Sequence, residues 1–193
     1  MVVSHLLDLA QQAHEKHSAI IWPPQVAALC AVLPPLNRVL EIGTLFGGTL
    51  WLWSQLAEDD ARLLSIDNGT DGIHNIELAH KAQQIEALIA DSAIALPQVE
   101  KWFDGEPIDF LFIDGDHSRE AIIRDYETYR HLVRPGGIIG FDDVTHYLGG
   151  KPAWDEISSG TQTAMTIWPS CDEGFGKAKG ETLNLFGVGV LFV

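Results

Sequence analysis

Basic residues are scarce in this chain: 12 lysines and arginines stand against 27 aspartates and glutamates, a net charge of −15 over 193 residues. A field of that sign repels phosphate backbones and anionic lipid surfaces, which disfavours a nucleic-acid substrate and a membrane partner. Small molecules or cationic groups suit it better. Cysteine is scarce too. Cys30 and Cys171 lie far apart and match no metal-ligand or redox spacing, so they read as a buried apolar thiol and a loop thiol. No apolar run approaches membrane-spanning length, and residues 1–17 carry acids in place of a basic region followed by an apolar core. A cytoplasmic, reducing location is the expectation. Low-complexity tracts are missing as well, so residues 1–193 are expected to form one domain with a full-sized core.

What is present is organised around Arg38–Thr49, RVLEIGTLFGGT. A short apolar, β-branched run of the kind a buried parallel strand shows breaks into glycines and continues as an apolar helical pattern from Leu50 to Leu56. Strand, glycine turn, helix is the unit that brings backbone N–H groups close to a ligand at a helix N-terminus. Glu41 separates this stretch from an ordinary turn: a carboxylate at the end of a buried strand needs hydrogen-bond donors, which a ligand's hydroxyls or ammonium would supply.

Before this unit, residues 4–16 place Leu6, Leu9, Ala10 and Ala13 on one helical face. Pro23-Pro24 starts a second helix and Pro34-Pro35 ends it. Residues 1–36 read as a helical preface, a lid or a homodimer-forming element, rather than a separate domain. After the unit, strands are expected at Arg62–Ile66, Ile85–Ala90, Ile108–Ile113, Ile138–Phe141, Ala164–Trp168 and Asn184–Val193. Helices are expected at 73–82, 93–102, 119–132 and 152–157, with a turn at Arg134-Pro135-Gly136-Gly137.

Each of the first five strands ends in an acid: Glu41, then Asp67-Asn68, Asp91-Ser92, Asp114 and Asp142-Asp143. In an open α/β sheet that edge is where ligands bind. Asp67 follows the glycine turn by about two dozen residues, where nucleotide sites keep a carboxylate for ribose hydroxyls. Asp91 and Ser92 either meet an adenine amine or cap the helix after them. Asp114-Gly115-Asp116-His117-Ser118 leads into a helix that Ser118 can cap.

Over nearly its whole length the chain resembles the class I S-adenosylmethionine-dependent methyltransferases. Glu41–Thr49 looks like their first motif, and Asp67, Asp91-Ser92 and the turn at Arg134–Gly137 match later ones. Within the superfamily it is most similar to metal-dependent small-molecule O-methyltransferases of the catechol, macrocin and cephalosporin-pathway types. The resemblance implies a doubly wound, Rossmann-like sheet of seven strands, order 3-2-1-4-5-7-6, with the last strand antiparallel. It implies S-adenosylmethionine as cofactor and a small-molecule hydroxyl as acceptor. By that likeness the backbone from Gly43 through Thr44 and Gly47 to Gly48 lines the methionine part, with Glu41 and Thr49 around it. Asp67 with Asn68 takes the ribose, Asp91 and Ser92 flank the adenine, and Asp114 borders the cofactor. Asp114, Asp142 and Asp143 match the divalent-metal ligands, and His117 matches the catalytic base. Two departures stand out: Leu45 replaces the second glycine of the common first motif, and no catechol-type substrate loop is recognisable after the fifth strand.

The charges agree with a metal. Two unit charges about 5 Å apart repel by roughly 3 kcal/mol at an effective dielectric near 20. Without a cation, some of Asp114, Asp116, Asp142 and Asp143 would have to protonate or turn away. Oxygen-only ligands point to Mg²⁺ first, with Ca²⁺ or Mn²⁺ as alternatives, rather than Zn²⁺. Asp116 reads better as a helix cap. Imidazole titrates near neutrality, which suits His117 for removing a hydroxyl proton; His146 is a reserve candidate. Two rivals share this fold. An NAD-type dehydrogenase needs a glycine where Leu45 stands, and a noncatalytic nucleotide-binding module would keep the pocket without the chemistry.

Overall fold

Seven strands form one sheet in the order β3-β2-β1-β4-β5-β7-β6. The computed structural model describes residues 2–69, 82–145, 148–160, 163–167 and 187–193. Strands β1 (Arg38–Ile42), β2 (Arg62–Asp67), β3 (Gln84–Ile89), β4 (Ile108–Ile113) and β5 (Val133–Phe141) run parallel. β7 (Val188–Phe192) pairs antiparallel with both β5 and β6 (Ala164–Ile167). The expected order and the reversed last strand are both present. β4 is buried along its length and β1 nearly so, as continuous apolar runs covered on both faces must be, whereas edge strand β3 alternates in exposure.

Helices cover both faces. α1 (Val2–His17), α2 (Pro23–Cys30) and α3 (Gly48–Leu56) pack with one face of the sheet in a cluster that includes Leu6, Ala10, Val26, Leu50, Trp53 and Phe112. α4 (Leu96–Trp102), α5 (Arg119–Tyr129) and α6 (Gly150–Ser158) pack with the other, around Val99, Leu111, Tyr129, Phe141 and Trp154. The apolar stripe of α1 faces the first of these clusters, with Ala10 and Ala13 fully buried.

Several boundaries differ from the sequence reading. The residues Arg134–Gly137, expected as a turn, belong to β5, whose pairing with β4 is irregular between Ile108 and Phe110. Proline and paired glycines are compatible with a strand where the ladder is interrupted. The helix expected from Ala93 begins at Leu96, because Asp91 first closes a turn through the Ala93 and Ile94 amides. Residues 130–132 finish the α5 segment as a 3₁₀ turn. The second helix stops at Cys30, short of Pro34-Pro35. The helix expected at 73–82 falls almost wholly outside the described residues, as do His146, Trp168, Cys171 and residues 184–186 of the expected last strand.

Candidate active site

The carboxyl ends of β1, β2, β4 and β5 meet at one edge, and the loops after them carry most of the chain's candidate chemistry. The loop after β1 is set by close approach. Gly43 has φ +85° and lies so near β4 that a Cβ there would sit 2.0 Å from the Asp114 carbonyl oxygen. Leu45, in place of a glycine, still adopts φ +46°, and Asp143 adopts φ +55°. Left-handed backbone at non-glycine residues is strained and clusters at sites where the surroundings enforce it.

Asp67 does the enforcing at Leu45. Its Oδ2 accepts hydrogen bonds from the Thr44 and Leu45 amides, both at 2.8 Å, and its Oδ1 accepts from the Gly69 amide, also at 2.8 Å. A carboxylate has about four acceptor positions, so three backbone donors leave capacity for a ligand hydroxyl. Asn68 beside it is exposed.

Glu41 is placed differently from the ligand-facing position expected of it. It is fully buried, and its carboxylate accepts from Thr44 Oγ1 at 2.6 Å and Trp53 Nε1 at 2.9 Å. The Thr49 and Ser65 side chains add a further stabilisation of the carboxylate. Burial outweighs these donors and pushes its pKa up to about 7. Glu41 therefore ties Thr44 of the loop to Trp53 of α3 inside the protein. Thr44 and Thr49 are buried with it. Gly47, at φ +79°, caps α3. Gly48 is pressed against the preface: a Cβ there would lie 2.3 Å from the Ala19 nitrogen and 2.6 Å from the His17 carbonyl oxygen. His17 stacks on Trp51, ring centroids 4.0 Å apart. The glycine pair thus serves the packing of the preface onto α3 as well as the openness of the loop.

Asp91 is exposed and closes its turn by accepting from the Ala93 amide. Ser92 turns inward, its hydroxyl donating to Asp125 at 2.8 Å and its carbonyl accepting from the Tyr129 hydroxyl at 2.5 Å. Asp125 and Tyr129 were not candidates in the sequence. The available signal was an acid on the helical face that carries Ile122 and Tyr129, where an apolar residue fits the pattern.

At the ends of β4 and β5 the acids crowd as their order in the chain requires. Asp114 and Asp142 hydrogen-bond side chain to side chain. Burial first, and then the neighbouring carboxylates, raise the pKa of both, which favours their protonated forms. Asp143 instead meets His117: Oδ2 lies 2.8 Å from Nδ1, while His117 Nε2 is 3.5 Å from Asp114 Oδ1. The Asp143 hydrogen bond raises the His117 pKa against the opposing effect of burial. Asp116 stands apart, accepting from the Ser118 amide ahead of α5, which Ser118 caps through the Ala121 amide. As these side chains stand, no group of three or more His, Cys, Asp or Glu among the described residues is arranged to hold a metal ion.

Residues 40–144, over half the chain, match the family described as "Methyltransferase domain". The chain belongs to that family. The match runs from β1 to the residue after Asp143 and so spans the site residues from Glu41 to Asp143, while the reserve candidate His146 lies beyond it. Among solved structures, the fold is similar to the O-methyltransferase TomG from Streptomyces achromogenes in complex with S-adenosylmethionine (TM-score 0.67, 20% identity, 97% of this chain and 90% of that one). It is also similar to MycE of the mycinamycin biosynthetic pathway, in complex with Mg and S-adenosylhomocysteine (TM-score 0.60, 17% identity, 95% and 53%). Curated relatives include an uncharacterized protein of Acanthamoeba polyphaga mimivirus, 34% identical over 122 residues, covering 56% of this chain and 52% of that protein. Caffeoyl-CoA O-methyltransferase 3 of Nicotiana tabacum is 29% identical over 116 residues, 56% and 46%. The chain spans about half the length of these relatives. Among the described residues no helix is long and apolar enough to cross a membrane.

Proposed function

We propose that this methyltransferase-family chain transfers the methyl group of S-adenosylmethionine to a hydroxyl of a small molecule, assisted by a divalent cation, with residues 1–36 integral to the one domain. The observation that carries the reading is the meeting, at one sheet edge, of the strained β1 loop held by Asp67 with the Asp114–Asp142–Asp143–His117 cluster. The family and the similar O-methyltransferase structures support it.

The acids fit a hard cation by their chemistry: all donors are carboxylate oxygens, and burial and mutual repulsion disfavour negative charge on both Asp114 and Asp142 unless something neutralises it. Asp114, Asp142 and Asp143 are the residues that would hold it; bound there, Mg²⁺ or a similar ion would lower the pKa of the acceptor hydroxyl as a Lewis acid. Asp67 and the backbone from Gly43 to Gly48 seat the methyl donor. His117 takes the hydroxyl proton, and Asp143 orients its ring and steadies the imidazolium. When bound, S-adenosylmethionine would supply an electrophilic methyl group to the acceptor oxygen and leave as the neutral thioether. Holding donor and acceptor in register provides much of the acceleration.

The test is transfer of labelled methyl from S-adenosylmethionine to a panel of phenols, catechols and sugar hydroxyls, with and without EDTA. Transfer that EDTA abolishes and Mg²⁺ restores is expected. Full activity in EDTA sinks the metal role, and labelling of none of the panel sinks the acceptor class.

A further inference from the structure

Asp125 has no part in the chemistry described above, yet it is the most deeply placed acid of α5, only 1% exposed. It lies on the buried face of that helix with Ala121, Ile122 and, one turn on, Tyr129. An apolar residue of similar size there would spare the cost of removing a carboxylate from water. What Asp125 does instead is grip a turn. Its Oδ1 accepts the Ser92 hydroxyl at 2.8 Å, and the neighbouring Arg124 guanidinium approaches the same oxygen at 3.3 Å. Four residues along, the Tyr129 hydroxyl donates to the Ser92 carbonyl at 2.5 Å. Two side chains of one helix thus hold a single residue by its hydroxyl and by its backbone.

The turn so held has its back to α5 and its front to solvent. Asp91 is exposed, and Ile94 is exposed by 74%. Asp91 closes the turn through two amides, so fixing Ser92 fixes the Asp91 carboxylate as well. The other Asp125 oxygen, Oδ2, lies in ordinary contact distance of where a Cβ on Gly115 would sit, beside Asp114. Asp125 therefore holds the loop after β3 and lies next to the loop after β4, the two that border the adenine end of the proposed cofactor site.

We infer that Asp125 and Tyr129 are positioning residues for recognition of the adenine 6-amino group, acting through Ser92 on the Asp91 turn. The inference rests on the cofactor reading given above. A purely structural role would weaken all ligands alike; a positioning role weakens those whose 6-position must meet the turn.

The experiment is calorimetric binding of S-adenosylhomocysteine and of S-inosylhomocysteine, in which a carbonyl replaces the 6-amino group, to the full chain and its variants. Wild type is expected to prefer the adenosyl compound by about tenfold, the size of one good hydrogen bond. Asp125→Leu removes a buried charge and should keep or raise the melting temperature while reducing that preference to within about twofold. Asp125→Asn keeps an acceptor for the Ser92 hydroxyl and should restore most of the preference. Tyr129→Phe removes the second grip and should weaken the preference by about threefold. An Asp125→Leu protein that retains the full preference, or loses affinity for both compounds in parallel, overturns the inference and leaves the cofactor reading standing. Wild type that binds neither compound overturns both.

Discussion

The two edges of the sheet carry the same kind of residue and treat it in opposite ways. At the amino-terminal edge Asp109, buried at 4% exposure, is surrounded by donors: Arg134 Nε at 2.5 Å, the Asn37 amide at 2.7 Å and the Arg38 amide at 2.8 Å. Farther out on that edge Arg38 pairs with Glu106 and Arg62 with Asp104. At the carboxyl-terminal edge Asp114 and Asp142 face each other, with Glu41 buried nearby and Asp143 on His117. Arginine matches a carboxylate's geometry and neutralises it permanently, which is what a fold needs. Acids left to repel one another weaken the fold, and are retained where their field does something else. The edges therefore separate structure from function more clearly than residue type or burial does.

That contrast is broken most decisively at the reactive edge. His117→Ala should lower kcat by about 10²–10⁴-fold, the usual share of a general base, with the cofactor KM little changed. Steady-state kinetics within threefold of wild type would remove His117 from the chemistry. Asp114→Asn mimics the protonated acid, so urea denaturation should show stability held or raised while methyl transfer is lost. The same substitution at the other edge, Asp109→Asn, should do the reverse. It leaves Arg134, one-third exposed, without its charged partner and should cost about 1–3 kcal/mol. Activity per folded molecule should be kept. A destabilised Asp114→Asn beside a harmless Asp109→Asn would invert the comparison.

Glu41 gives a smaller effect with a definite sign. Its folded value of about 7 lies above the ordinary 4.5, so between those values the folded chain holds a proton that the unfolded chain has released. Its contribution is fully present below about pH 4.5 and is lost as pH rises toward 7, by roughly 3 kcal/mol at full effect. Asp114, Asp142 and Asp125 are shifted in the same direction and steepen the fall. Glu41→Gln should flatten its own share. Stability curves for wild type and Glu41→Gln that stay parallel from pH 4.5 to 7.5 would show that the carboxyl is ionised in the folded state.

The acid at each strand end was legible in the sequence because it depends on side-chain period and chain order; the strand order, and with it the convergence of Asp114, Asp142, Asp143 and His117, was legible only through the family resemblance. Their detailed partners were not. Glu41 reads as a ligand contact from its place at a strand end, yet Trp53, twelve residues on, takes its carboxylate inside. Nothing local distinguishes an indole that packs from one that also donates. Asp125 lies in a helical face whose apolar members are plain, but Ser92 is 33 residues away in sequence, and only folding shows that they meet. Arg134–Gly137 carries every sign of a turn, and is included in β5 as an irregularity, since its pairing with β4 passes from Val133 directly to Ile138 with Gly136 at φ +77° between them.

The smallest expected effect tests whether pairing alone, without burial, distinguishes the amino-terminal edge. Arg62 and Asp104 lie 2.7 Å apart, as close as Asp109 and its partners, but Asp104 is 77% exposed. Exposed pairs are typically worth about 0.2–1 kcal/mol and fade with salt. Asp104 also stands at φ +56°, where asparagine is tolerated far better than alanine. Asp104→Asn therefore isolates the charge, and should lower stability by less than about 1 kcal/mol in dilute buffer and by nearly nothing at 1 M salt. Asp104→Ala should lose more than Asp104→Asn by an amount that salt does not change, because that part is backbone strain. Urea denaturation at the two salt concentrations reads all four values. A loss in Asp104→Asn as large as that of Asp109→Asn would mean that ion pairing itself, and not the burial of an arginine-neutralised acid, holds this edge together.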